Sequence, residues 1–163
     1  QKRFLSFLNP ELDPLGQGYQ LIQSKIALGS GGLTGKGFLQ GTQSYLEYLP
    51  EKQTDFIFTL IGEEFGFLGT MFVLILFSLL ILICFYISIK SSHIFGRIIS
   101  LGVGTNLFLY VLLNMSMVTG LMPVVGIPLP LISYGGTAML SIMISFGLLL
   151  NVDIHYNIKK INE

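Results

Sequence analysis

The sequence predicts an all-α polytopic membrane protein with three transmembrane helices and a long outward loop. Of its 163 residues, 52% are hydrophobic and only 11% are charged, whereas soluble domains carry about 25% charged residues. Three apolar stretches approach or exceed the roughly 20 residues that a helix needs to cross a bilayer. The net charge is zero and no stretch is densely basic, so a nucleic-acid partner is not expected.

The three predicted spans follow a polar first third of the chain. The first lies at 56–89 and is free of charged residues from position 67 onward. The second, at 98–118, is interrupted only by two asparagines. The third, at 137–152, is short, and it reaches full length if its helix begins near Leu131. The single cysteine, Cys84, falls within the first span, where we expect it to face lipid or to pack against a neighbour.

Basic residues set the predicted orientation, because short cytoplasmic loops are enriched in Lys and Arg. They lie between the first two spans and after the third: Lys90, His93, Arg97, Lys159 and Lys160. The loop 90–97 and the tail 153–163 are therefore predicted to be cytoplasmic. The segment 1–55 and the connection 119–136 then face outward.

A short amphipathic helix is predicted at 17–28 within the outward segment. Apolar residues recur there at helical spacing, which suits a helix lying at the membrane interface: Leu15, Tyr19, Ile22 and Ile26. The stretch 29–41 that follows contains six glycines and is predicted to be a loop.

The glycine-rich stretch GSGGLTGKG partly matches a P-loop, but two required residues differ. Ser30 stands at the first glycine position and Gly37 stands where Ser or Thr is needed, so an NTPase is excluded. Two interpretations remain. Successive backbone N–H groups, with Lys25 and Lys36, could bind a diphosphate, or the stretch is only a flexible turn.

The connection PVVGIPLPLISYGG contains three prolines and cannot be an ordinary helix. Non-helical backbone at membrane depth is tolerated when it is buried in protein or lines a cavity. The connection is therefore predicted either to re-enter and cap a cavity or to form a rigid turn between two spans. In the first case it would offer polar and backbone contacts from Ser133, Tyr134, Gly135 and Gly136.

Asp55 stands at the edge of the first span, between Thr54 and the apolar run FIF. One interpretation is structural, with Thr54 as the N-cap of a helix that begins near Asp55 and the acid favoured by the helix dipole. The other is catalytic, because desolvation makes a carboxylate a better base.

Two further acids, Glu63 and Glu64, lie within a GxxxG motif at 62–66, which predicts close approach of another helix. Acids near a span need a partner, and we expect these two to pair with a basic residue outside this sequence. No DxD, HExxH or Cys/His cluster predicts a metal site, and no outward histidine is present to activate a serine.

The chain closely resembles the carboxyl-terminal portion of the SEDS family, which includes RodA, FtsW and their sporulation relatives. Two long stretches carry the resemblance: QSKIALGSGGLTGKGFLQGTQSYLEYLPEKQTDFIFTLIGEEFGFLG and NMSMVTGLMPVVGIPLPLISYGG. Within them, GTQSYLEYLPE is similar to the RodA branch. Since family members are ten-helix bundles, we expect this chain to be the last part of a longer protein, preceded by seven more spans.

The resemblance implies a peptidoglycan glycosyltransferase that polymerises lipid II during cell elongation, on the outer face of the bacterial inner membrane. It implies a class B penicillin-binding protein and the elongation machinery as partners, and Asp55 as the catalytic residue. A cofactor is not required by the resemblance, although Mg²⁺ is a candidate. Gln53 departs from the histidine of many relatives. The candidate substrate-binding residues are Lys25, Lys36, Gln43, Glu47, Lys52, Thr54, Ser133, Tyr134, Gly135 and Gly136.

Two other functions are compatible with the same residues. Broken helices and acids within the membrane also suit a lipid II flippase or another transporter. A membrane scaffold that only positions a penicillin-binding protein would need no catalytic residue.

Overall fold

The computed structural model describes residues 17–41, 54–91 and 93–161, which form four helices. These are α1 (Gln17–Ser30), α2 (Ile57–Lys90), α3 (Ile94–Val118) and α4 (Gly136–Ile161), and the described residues contain no strand. Three of the described helices are long and apolar enough to cross a membrane: α2, α3 and the part Gly136–Ile154 of α4. The prediction of an all-α membrane protein with three spans is confirmed.

The observed bounds differ from the predicted ones at two places. The first span ends at Lys90 and α3 begins at Ile94, so five of the eight residues of the predicted loop 90–97 are helical. α4 does not begin near Leu131, because that residue has a φ of 65° and lies in a turn; the helix gains its length at the other end, up to Ile161. The orientation of the helices in the membrane stays a prediction.

The main apolar core lies at the end of the bundle where α2 begins and α3 ends. We call this end, which carries Asp55, the site end. It is formed by α1, α2 with the residue before it, α3 and the connection 119–135. Its buried residues are Leu21, Phe56, Phe58, Phe77, Val111, Met117, Val118, Val124 and Leu129. The proline-rich connection is attached to this core through Val124 and Leu129, whereas Leu121 and Tyr134 are largely exposed.

A second, smaller core lies at the opposite end and includes Cys84, Ile87 and Leu149. Cys84 is buried and packs against α3, where a Cβ placed on Gly104 would lie 3.0 Å from its own Cβ. The cysteine therefore packs against a neighbouring helix and does not face lipid.

The short helix α1 lies across the site end and contacts both α2 and α3. Its buried positions are Leu21, Ser24 and Ala27, and the Ser24 hydroxyl donates a hydrogen bond of 3.1 Å to the carbonyl of Val118. The predicted helix is confirmed, whereas its predicted apolar face points away from the described bundle, with Ile22 and Ile26 exposed. Leu15 lies outside the described residues.

Candidate active site

Asp55 lies immediately before α2, in the turn that leads into the helix. The N-cap of α2 is Phe56, with φ of −104° and ψ of 20°, and the first turn of the helix contains no acid. The prediction that Thr54 caps a helix beginning near Asp55 is therefore wrong. Asp55 is only 8% exposed, and the Phe56 side chain next to it is fully buried.

Asn114, which lies on α3, hydrogen-bonds both the backbone of Asp55 and the proline-rich connection. The Nδ2 group of Asn114 donates to the carbonyl of Asp55 at 2.9 Å and to the carbonyl of Ile127 at 2.7 Å. One buried amide thus joins the start of α2, the end of α3 and the connection between α3 and α4.

Ser133 makes a second link to the same turn. Its hydroxyl donates to the carbonyl of Thr54 at 2.6 Å and accepts from the N–H of Leu129 at 2.7 Å. Leu129 stands between two prolines, which have no N–H to donate. The Ser133 hydroxyl accepts the hydrogen bond of the one N–H group in this stretch, that of Leu129. The turn at 54–55 is therefore held from two sides.

The Asp55 carboxylate faces this connection at Gly126. A Cβ placed on Gly126 would lie 3.2 Å from Oδ2 of Asp55, and Gly126 has a φ of 79°. A glycine is required here both for the left-handed backbone and for the space that the carboxylate occupies.

The carboxylate of Glu63 is paired within the chain, which corrects the expectation of a partner elsewhere. Lys36 Nζ lies 2.9 Å from Oε1 of Glu63, and the Glu63 side chain is fully buried. The pairing is possible because the glycine-rich loop 31–41 folds directly onto α2. It was missed because the two residues are far apart in the sequence.

Three N–H groups of the glycine-rich loop donate to α2. Lys36 and Gly37 donate to the carbonyls of Glu63 and Glu64, each at 3.0 Å, and Leu39 donates to Oε1 of Glu64 at 3.3 Å. The loop is therefore attached to α2 through its backbone, and a diphosphate-binding role for Lys36 and the loop stays a prediction.

The GxxxG motif makes the predicted close approach, but only partly to a helix. A Cβ on Gly62 would collide with Leu28 of α1, and a Cβ on Gly66 would collide with the backbone at Gly35 in the loop.

The structure describes four of the other seven predicted substrate-binding residues. The Lys25 side chain crosses Gly120, where the connection begins. Tyr134 is 81% exposed, and Gly135 and Gly136 lie at the start of α4. Three residues fall outside the described part of the chain: Gln43, Glu47 and Lys52. A substrate-binding role for all of them stays a prediction.

Asn114 is the residue that sequence reasoning missed, since it counted only as an interruption of the second span. The available signal was the free-energy cost of burying an amide in an apolar span, because such an amide must be hydrogen-bonded or functional. Its Oδ1 atom and the Thr59 hydroxyl are buried without a hydrogen-bond partner in the part of the chain that the structure describes.

No group of three His, Cys, Asp or Glu residues that could hold a metal ion occurs among residues 17–41, 54–91 and 93–161. The candidate site is centred on the buried Asp55 carboxylate, in a turn whose backbone is hydrogen-bonded by Asn114 and Ser133. Such a carboxylate suits proton transfer, because a general base must be held in place beside the group that it deprotonates.

The chain is similar to a family of known proteins over nearly its whole length. The family described as "Cell cycle protein", comprising FtsW, RodA and SpoVE, matches residues 1–158. Peptidoglycan glycosyltransferase MrdB of Escherichia coli (strain K12) is 50% identical over 155 residues, covering 95% of this chain and 42% of the relative. Stage V sporulation protein E of Bacillus subtilis (strain 168) is 45% identical, covering 93% and 41%.

A solved structure also matches. It is described as "Structural coordination of polymerization and crosslinking by a peptidoglycan synthase complex", with a TM-score of 0.74 and 34% identity over 95% of this chain and 41% of that one. The chain thus spans about two fifths of the length of these relatives. The extent of both matches confirms the resemblance seen in the sequence, and the chain belongs to the family of the cell cycle proteins FtsW, RodA and SpoVE.

Proposed function

We propose that the protein is a peptidoglycan glycosyltransferase that polymerises lipid II during cell elongation, with Asp55 as its general base. The observation that carries the proposal is the setting of this carboxylate, buried at the edge of a span and facing Gly126. The names of the relatives support the reaction class, since MrdB of E. coli and RodA of Treponema pallidum are both called peptidoglycan glycosyltransferases.

In the proposed reaction, the 4-hydroxyl group of one lipid-linked sugar attacks the anomeric carbon of another. Asp55 accepts the hydroxyl proton while the oxygen forms its bond to that carbon. The bond from the carbon to the lipid diphosphate breaks, its electron pair leaves with the diphosphate, and the configuration is inverted. A hydroxyl is a weak nucleophile, and a positioned base contributes about 10²–10⁴-fold to such a step.

The departing diphosphate carries negative charge that a cation would stabilise. Lys25 is a candidate because its side chain crosses Gly120 at the beginning of the connection that faces Asp55. Lys52 is a further candidate, and Mg²⁺ stays a prediction that chelation tests directly.

The proposed location is the bacterial inner membrane, with Asp55 on its outer face. We further propose lipid II as the substrate and a class B penicillin-binding protein as the partner. Support for the partner comes from the matching solved structure, which concerns coordination of polymerisation and crosslinking in one complex.

The test uses the purified full-length protein, its penicillin-binding partner and labelled lipid II, with glycan products separated by gel electrophoresis. Asp55→Asn should abolish polymerisation while the protein stays folded, because the backbone carbonyl bound by Asn114 is retained. The matched control is Asp153→Asn, which makes the same chemical change in α4. Asp153 lies about 25 Å along that helix from its first residue, at ~1.5 Å per residue, and the variant should polymerise normally.

Near-normal polymerisation by Asp55→Asn would refute the assignment of the base. Transport of lipid II across vesicles without any glycan product would instead support a flippase, and tolerance of Asp55→Asn in cells would support a scaffold. Loss of product on addition of EDTA, with recovery on addition of Mg²⁺, would establish the cation.

A further inference from the structure

Helix α2 is broken near its start, at Gly66. This glycine has φ of 66° and ψ of −160°, values that are incompatible with a helix. In a continuous helix the N–H groups of Phe67 and Leu68 would donate to the carbonyls four residues earlier, at Glu63 and Glu64. Here they donate instead to the carbonyls of Gly32 and Leu33, at 2.9 and 3.1 Å.

The two helix carbonyls released by this break are also satisfied by the glycine-rich loop. Glu63 accepts from the N–H of Lys36 and Glu64 accepts from the N–H of Gly37, each at 3.0 Å. Loop residues 32–37 are therefore inserted into the helix, and four loop–helix hydrogen bonds replace two helical ones. We call this arrangement the splice.

Side chains hold the splice together. Lys36 pairs with Oε1 of Glu63 at 2.9 Å; the Lys36 side chain is 27% exposed and that of Glu63 is fully buried. Gly41 packs against the other carboxylate oxygen, where a Cβ would lie 2.9 Å away. Removing either charge breaks this ion pair between the loop and the helix, and breaking a buried pair by removing one partner is strongly destabilising.

The break separates the segment 57–65, which begins two residues after Asp55, from the long part of α2 at 67–90. Because no continuous helix connects the two parts, their relative angle is set by the splice. We propose that Lys36 and Glu63 are positioning residues for Asp55, acting through segment 57–65 and touching no substrate. This inference rests on the proposed glycosyltransferase function.

The inference assigns Lys36 a role different from that of a diphosphate ligand, and the two roles predict different kinetics. A substrate ligand affects the KM for lipid II and acts independently of Glu63. A positioning pair affects kcat, and its two members act as one unit, so that their effects are not additive.

The test is a double-mutant cycle in the full-length protein with its partner, using Lys36→Met, Glu63→Gln and the double variant. Each single variant should lower kcat per folded molecule by up to about 100-fold, the loss that a small displacement of a catalytic group produces. KM for lipid II should be unchanged, and the double variant should be no worse than either single one. Lys36→Arg should restore most of kcat, and Lys90→Met at the far end of α2 should behave as wild type.

Hydrogen exchange gives a second measurement that does not depend on activity. The amides of Gly37, Phe67 and Leu68 should exchange faster in both single variants than in wild type, because their hydrogen bonds form the splice. If wild type makes no glycan but exchange behaves as expected, the proposed function fails and the splice stands.

Three results would overturn the inference while leaving the proposed function intact. The first is a raised KM in Lys36→Met with normal kinetics in Glu63→Gln, which would make Lys36 a substrate ligand. The second is a double variant whose fold-loss in kcat equals the product of the two single fold-losses. The third is a normal kcat per folded molecule with only a lower melting temperature, which would make the pair purely structural.

Discussion

Replacing Asn114 by leucine keeps the size of the side chain but removes both hydrogen bonds that fasten the Asp55 turn. The carbonyls of Asp55 and Ile127 lose a buried donor, and each such loss costs about 1–3 kcal/mol. The two together give about 2–6 kcal/mol. Part of this is offset, because Asn114 Oδ1 is itself buried without a partner among the described residues and its removal returns about 1–3 kcal/mol.

The expected net loss in the free energy of unfolding is therefore about 2 kcal/mol, or roughly a 30-fold change in the ratio of folded to unfolded protein. It can be measured by denaturant titration in detergent micelles. Polymerisation per folded molecule should also fall, since the turn that holds Asp55 loses its link to Asn114 and retains the one to Ser133.

Asn106→Leu is the matched control, because Asn106 lies on the same helix and is exposed. Exposed substitutions away from special contacts usually change stability by less than about 0.5 kcal/mol. If Asn114→Leu is as stable and as active as Asn106→Leu, the two hydrogen bonds do not hold the site and the reasoning is refuted.

Two other substitutions test the packing of the bundle. Gly126→Ala should lower the free energy of unfolding by about 1–2 kcal/mol, because residue 126 has a left-handed backbone. It should also lower polymerisation, because the new Cβ would lie only 3.2 Å from Oδ2 of Asp55 and would displace the carboxylate. A fully active variant would contradict the close contact. Gly104→Val should cost about 1–3 kcal/mol by overpacking against Cys84, measured as the shift in melting temperature. Gly102→Val, with no atom within 4 Å of a Cβ, should change little, and equal shifts in the two variants would contradict this account.

The spans and α1 were predictable from the sequence because their signals are local. A run of apolar residues predicts a helix in lipid wherever its neighbours lie, and the positions of α2 and α3 follow within a few residues. The start of α4 was harder, since Leu131 is apolar and continues the pattern of the span. Its φ of 65° results from the tight connection, which hydropathy does not register.

The contacts of the site were not predictable because they join residues that are distant in the sequence. The acids Glu63 and Glu64 signalled that a partner was needed, but nothing local indicated that Lys36 is the partner of Glu63. Asn114 carried a signal of the same kind, a polar group in an apolar helix, yet both of its acceptors are backbone carbonyls. Backbone acceptors leave no residue type by which a sequence could reveal them.

The break at Gly66 and the glycine-rich loop depend on each other. Near a membrane, a broken helix exposes N–H and C=O groups that lipid cannot satisfy, so the break is stable only if another part of the chain supplies partners. The loop supplies carbonyls from Gly32 and Leu33 and N–H groups from Lys36 and Gly37. Conversely, these loop groups would be unsatisfied against a continuous helix, whose carbonyls at Glu63 and Glu64 would already accept from within the helix. The glycine-rich loop before Asp55 and Gly66 after it therefore form one structure. A substitution in either is expected to affect the turn that carries Asp55.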